Sequence, residues 1–308
     1  MNRVSAVKII GSIGLVISML LNGCTTNSIT DNNVSGNDLT ATEVIRLMGN
    51  GINLGNTLEA YNHKSYVELG VDPTSFETLW GQPVTTRDMI DDMKAMGFDT
   101  LRIPVAWTNG INYESGDYTI DERLMNRVDE VVNYALDADM YVILNEHWDG
   151  SWWGMFGSAD EAVREKGMAL YKSMWTQISE HFSDYSYKLI FESANEELCH
   201  RLNDSDVTGT EGVLSEDECY ETTNRINSEF VKLVRSTGGK NADRFLLIAG
   251  YNTDFRKTCD DRYQMPEDTA KDKLLLSVHY YTPWDYCSDG NAKRWGTPGD
   301  YEEQNSLF

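Results

Sequence analysis

Asn195-Glu196 is the sharpest chemical feature of the sequence. It follows the apolar run Leu189-Ile190-Phe191, so Glu196 is expected to emerge from a low-dielectric wall. Desolvation raises a carboxyl pKa, and a general acid working near neutral pH needs that rise. The neighbouring amide could orient a substrate hydroxyl. A bare Asn-Glu pair would be read as a polar strand terminus; its place after a buried strand, among other strand-end groups, favours chemistry. Arg102 could hold a carboxylate ionised or simply close an ion pair. His147 could donate to a sugar hydroxyl or to a carboxylate. His279 and Tyr281 are two residues apart and so share one face of a strand. Residues 147–154 (HWDGSWWG) carry Trp148, Trp152 and Trp153 in one loop. Indole faces stack on the apolar faces of sugar rings, and such a loop is rarely left uncovered. At least one of these indoles is expected to pack on the protein instead. His147, Asp149 and His279 nominally form a metal triad, but no HxxxH or CxxC spacing supports one, so no metal or other cofactor is expected.

These residues need strands to place them. Apolar runs YVIL, LIF, FLLI and LLLSV alternate with helical stretches at 85–98, 121–139, 161–182 and 221–238. Continuous apolar runs suit buried parallel strands, and alternation suits crossover helices. The strand regions 51–60, 100–107, 141–147, 188–197, 244–252 and 274–284 end in polar or aromatic groups. Active sites of barrels stand at the C-terminal ends of the strands. The expected fold is therefore α/β, a (β/α)8 TIM barrel. About six of its eight strand-helix units are present, so two strands are expected to be missing and an edge strand left unpaired. No GxGxxG or GxxxxGK[ST] appears, which removes the main support for dinucleotide or P-loop chemistry.

The 308 residues carry a formal charge of −23, which repels phosphate backbones and anionic lipid. Nucleic acid is not an expected partner. Hydrophobic content of 41% excludes wholesale disorder. At the N-terminus, Arg3 and Lys8 precede an apolar run from Ile9 to Leu21, too short to span a membrane and typical of a secretory signal. The break Leu21-Asn22-Gly23-Cys24 resembles a lipoprotein lipobox with Asn22 as an imperfect residue, so lipidation of Cys24 is expected. The expected organisation is a signal at 1–23, a flexible tether at 24–40 and a catalytic barrel at 41–308. The protein would be exported to the bacterial cell surface or outer membrane, touching membrane through that lipid alone, or else secreted. In that oxidising space Cys199, Cys219, Cys259 and Cys287 allow three pairings, Cys199–Cys219 among them, or none.

Six ordered motifs carry a resemblance: GINLGNTLEA (51–60), WGQPVTT (80–86), GFDTLRIPVAW (97–107), YVILNEHWDG (141–150), LIFESANEE (189–197) and LLLSVHYYTPW (274–284). Together they resemble glycoside hydrolase family 5, most of all its bacterial endo-β-1,4-glucanase branch, subfamily 4. The resemblance implies retaining hydrolysis of β-glucan without a cofactor. By motif, Glu196 matches the acid/base and Asn195 its partner in the Asn-Glu pair. Arg102, His147, His279 and Tyr281 match substrate-site positions. Trp148 stands where the family usually has a second histidine, and Glu197 stands where many relatives have proline. The family's nucleophile is a second glutamate on strand seven, and this sequence ends before the matching motif. The fragment alone is therefore expected to be inactive. A mannanase or xyloglucanase on the same scaffold, or a lipid-anchored glycan-binding protein, remains an alternative.

Overall fold

The computed structural model describes residues 36–287 and 296–305. The signal at 1–23, Cys24 and residues 25–35 of the tether lie outside the described residues. Six parallel strands form one sheet in sequential order: β1 (Gly51–Asn53), β2 (Thr100–Ile103), β3 (Tyr141–Asn145), β4 (Leu189–Glu192), β5 (Leu246–Asp254) and β6 (Leu274–His279). Sequential order with every neighbour parallel is barrel winding, and six strands make an incomplete (β/α)8 barrel. β3 and β4 are buried along their whole length, as their uninterrupted apolar sequences require. β1 and β6, at the two edges, are partly exposed.

Four long crossover helices cover the outer face: α1 (Arg87–Ala95), α2 (Glu122–Asp137), α3 (Glu161–His181) and α4 (Glu216–Ser236). Each start has a side-chain cap, from Thr86, Asp121, Asp160 and Ser215 respectively. α4 begins five residues earlier than its apolar spacing suggests. Ser215 accepts from the Glu218 N–H while the Glu218 carboxylate accepts from the Ser215 N–H, a reciprocal capping box. Leu124, Val128, Val131 and Ala135 of α2 face the core as expected, beside Trp175, Phe191 and Phe230. Arg244, fully buried, donates to the carbonyls of Phe182, Tyr185, Ser186 and Leu189 and so locks the turn before β4 to the start of β5. Burial pulls its pKa down to about 9.

Two expectations differ here. The first strand region shrinks to three residues, because Thr57 and Glu59 fold the chain into a turn: the Thr57 hydroxyl donates to Leu54 O and Glu59 accepts from the Thr57 N–H. The tether also ends sooner than position 40. Gly36–Asp38 form a 3-10 turn, Leu39 is buried, and Lys273 Nζ donates to Gly36 O at 2.8 Å and Leu39 O at 2.6 Å. Apolar Leu39 and Lys273 together hold these polar residues against the barrel.

Candidate active site

All six strand-end groups singled out from the sequence come to one end of the sheet, where the strands finish. β4 ends at Glu192, and the chain turns sharply so that Asn195 and Glu196 stand over the mouth. β6 ends at His279 and delivers Tyr281 two residues later. His279 Nδ1 lies 2.7 Å from Glu196 Oε1, and the Tyr281 hydroxyl donates to the same oxygen at 3.1 Å. The Glu196 side chain keeps 29% of its surface exposed. Its pKa is lowered, first by the His279 hydrogen bond, with burial opposing and Tyr281 assisting. This corrects the sequence expectation of a raised pKa. The wall behind Glu196 is apolar, but the carboxyl itself sits in the open mouth and receives two hydrogen bonds that favour its charge.

Arg102 does pair with a carboxylate, and it is Glu192 rather than Glu196. Arg102 Nε donates to Glu192 Oε2 at 2.7 Å, and Nη2 donates to Asn195 Oδ1 at 3.0 Å. Glu192 also accepts from Asn145 Nδ2 at 3.0 Å and Ser277 Oγ at 2.7 Å, so four strands converge on one buried carboxylate. Because that amide donates to Glu192, its NH2 orientation is fixed. The same NH2 lies 3.3 Å from His147 Nδ1, which must then accept, leaving the proton on Nε2 as a donor. Burial first, then Arg102, drives the His147 pKa down to about 3, so the ring is neutral across the physiological range.

The aromatic loop divides. Trp152 and Trp153 are buried, stacked with ring centroids 4.5 Å apart, and both indole N–H groups donate to Glu146. Trp148 is exposed at the rim, 6.3 Å from the Tyr61 ring and 6.5 Å from Trp80. One of the three indoles is thus free to stack on a ligand. Asp149 lies buried beneath, accepting from the N–H and hydroxyl of Thr108, and burial raises its pKa to about 6. His147, Asp149 and His279 do not gather, and among the described residues no cluster of metal-ligating groups occurs. Cys199, Cys219, Cys259 and Cys287 are unpaired; the Cys199 thiol donates to Glu196 O at 3.4 Å.

Glu196, His279 and Tyr281 stand between two adjoining hollows. The inner one, about 550 Å³, is lined by Asn53, Arg102, His147, Glu192, Asn195 and Ser277. The outer one, about 720 Å³, is lined by His200, Arg201, Asn252, Asp254 and Trp284. Sequence reasoning passed over Asn145, Glu192, Ser277, Arg201 and Glu197. Asn145 was within reach, because it precedes His147 by two and so shares its face.

A partly exposed carboxyl in an open trough, at the C-terminal mouth of a parallel barrel, is the setting for glycoside hydrolysis, and fold and site together point to that class. The chain belongs to glycosyl hydrolase family 5: the family's cellulase model matches residues 63–307. It is 35% identical to endoglucanase A of Paenibacillus barcinonensis over 88% of this chain and 66% of the relative. It is likewise 35% identical to a xyloglucan-specific endo-β-1,4-glucanase of Bacteroides ovatus, over 87% of this chain and 51% of the relative. The chain thus spans about half to two thirds of the length of these curated relatives. Among solved structures, a broad-specificity subfamily 4 endoglucanase from Ruminococcus champanellensis with bound cellotriose superposes with a TM-score of 0.72 at 35% identity. That match covers 86% of this chain and 73% of the other. A Prevotella bryantii family 5 enzyme in complex with a xyloglucan tetradecasaccharide gives 0.71 at 33% identity, covering 87% and 72%.

Proposed function

We propose that the protein is an endo-acting, retaining β-glucan hydrolase of plant cell-wall polysaccharide, with Glu196 as its acid/base. The observation that carries this reading is the placement of Glu196 Oε1 under His279 and Tyr281, between two joined hollows that leave room for a polymer on both sides. The endoglucanase relatives and the cellotriose-bound neighbour support it.

Retaining hydrolysis needs a second carboxyl about 5 Å from the first. Among the described residues the other carboxylates of the trough are already engaged: Glu192 by Arg102, and Asp254 by the Lys257 N–H that it caps. The resemblance to family 5 implies that the nucleophile is a second glutamate on a seventh strand, which is not among the described residues. Its negative charge would oppose the lowering that His279 and Tyr281 produce at Glu196 and so favour the protonated donor. In the first step the nucleophile attacks the anomeric carbon while Glu196 gives its proton to the departing glycosidic oxygen. In the second step Glu196 takes a proton from water, whose oxygen replaces the nucleophile on the anomeric carbon. His147 Nε2–H, the Arg102–Asn195 pair and the Trp148 face bind and orient the sugar. No metal or organic cofactor enters these steps.

The test is release of reducing ends by the full-length protein containing this chain, on carboxymethylcellulose, xyloglucan and mannan. Glu196→Gln is expected to lower kcat by roughly 10²- to 10⁴-fold. Undiminished hydrolysis by the Glu196→Gln protein would refute the assignment. Binding without new reducing ends would identify a glycan-binding protein. The xyloglucan-specific relative and the xyloglucan-bound neighbour favour xyloglucan as the second substrate, and relative rates decide between them.

We further propose that Arg3, Lys8 and the apolar run to Leu21 direct export, and that Cys24 receives lipid, holding the protein at the cell surface or outer membrane. Cys24→Ala should move the protein from the membrane fraction to the soluble fraction; unchanged fractionation would refute the anchor.

A further inference from the structure

Glu197 stands immediately after the Asn-Glu pair, where many relatives of the family carry proline, and it is 2% exposed. Its carboxylate does not enter the trough. Oε2 accepts the Asn195 N–H at 2.9 Å, and Oε1 accepts the Trp148 N–H at 3.0 Å and lies 3.5 Å from Asn195 Nδ2. Trp148 has φ of 50°, a left-handed conformation that a bulky side chain adopts only when its surroundings hold it there. The side-chain acceptor on its N–H is Glu197. Asn195 in turn accepts from Arg102, which holds Glu192.

We propose that Glu197 is a positioning residue: it ties the Trp148 rim of the trough to the Asn195-Glu196 pair, keeping sugar stacking and proton transfer in register. This rests on the acid/base assignment of Glu196. The connection joins the loop after β3 to the loop after β4 at the mouth of the trough. Proline at this position would offer no side-chain acceptor for the Trp148 N–H. The groups facing Glu197 are Glu146 from the loop after β3, and Cys199 and Arg201 from its own loop.

The test uses the full-length protein containing this chain, with cellotetraose as substrate and folded protein quantified by circular dichroism. Glu197→Ala is expected to lower kcat/KM roughly tenfold, the equivalent of one charge-assisted hydrogen bond. Trp148→Ala removes the aromatic rim that Glu197 holds and is expected to lower it as well, and the double variant should lose less than the two single losses combined, because Glu197 acts in part through Trp148. Isosteric Glu197→Gln keeps one carbonyl oxygen and should fall between. Additive losses, or a loss that only follows the folded fraction, would overturn the proposal. A second measurement needs no variant: the backbone amide resonances of Trp148 and Asn195 in the native protein should move together with pH, with one common midpoint. Amides that stay still, or that move with separate midpoints, would also overturn it. If Glu196→Gln left hydrolysis intact while the two amides titrated together, the catalytic reading alone would fail and the tie would stand.

Discussion

Replacing Arg102 by methionine removes the one cation from the node at the base of the trough. Glu192 would remain with its side chain 1% exposed, keeping Asn145 and Ser277 as donors but losing its counter-charge. Breaking a buried ion pair on one side costs about 3–5 kcal/mol, because the surviving charge stays out of water. Each kcal/mol moves the melting temperature of a domain of this size by about 2–4 °C, so a fall of roughly 6–20 °C is expected. Arg102 also holds Asn195, so part of the loss comes from freeing the loop that carries Glu196. The companion variant is Arg102→Met with Glu192→Gln, which removes the stranded charge and leaves a neutral amide among the same donors and acceptors. It should recover at least about 1.5 kcal/mol of what the single variant loses. Denaturant unfolding monitored by tryptophan fluorescence measures all four corners of the cycle. A single-variant loss below about 1 kcal/mol, or strictly additive effects, would show that Glu192 is solvated after all and that the node is not what supports the mouth.

The remaining expectations concern pH, a close backbone approach and a helix start. Burial raises the pKa of Glu197 to about 7 and of Asp149 to about 6, and raises Glu146 as well. Such groups bind more protons folded than unfolded, so their contribution is complete below about pH 4 and is lost as pH rises through about 7. The melting temperature should therefore fall between pH 5 and 7.5, and Glu197→Gln should flatten that slope; an unchanged slope in the variant would refute the assignment. At Gly154 an added Cβ would overlap the Asp204 carbonyl oxygen, so Gly154→Ala should destabilise by more than about 2 kcal/mol in chemical denaturation. Ser215→Ala removes half of the capping box of α4 and should cost about 1 kcal/mol in the same assay.

Much of this was legible in the sequence because burial writes itself plainly. YVIL and LIF are continuous apolar runs, and β3 and β4 are buried throughout. The strand-end residues were legible for a related reason: polar groups directly after such runs must face the mouth. What the linear pattern could not supply was pairing. Whether Arg102 meets Glu192 or Glu196 depends on how four strands lean inward, and period-two spacing leaves both carboxylates eligible. The direction of the Glu196 pKa failed for the same reason: desolvation was inferred from neighbours in sequence, whereas the decisive hydrogen bonds come from His279 and Tyr281, more than 80 positions away. At least one of the three indoles was expected to pack on the protein, but which ones could not be read: Trp152 and Trp153 do so because a buried Glu146 accepts from both, a partner whose depth is invisible in a loop sequence. The start of α4 was missed because its acidic first turn reads as a solvated loop, although Ser215 and Glu218 carried the signal.

The seam between Gly36–Leu39 and Lys273 has a geometric consequence. Lys273 immediately precedes β6, so the backbone from residue 36 is stitched to the floor of the cylinder, at the end where the strands begin. Glu196 lies at the ceiling. The described chain thus enters the sheet at the end where its strands begin, and the hollows around Glu196 open at the end where they finish.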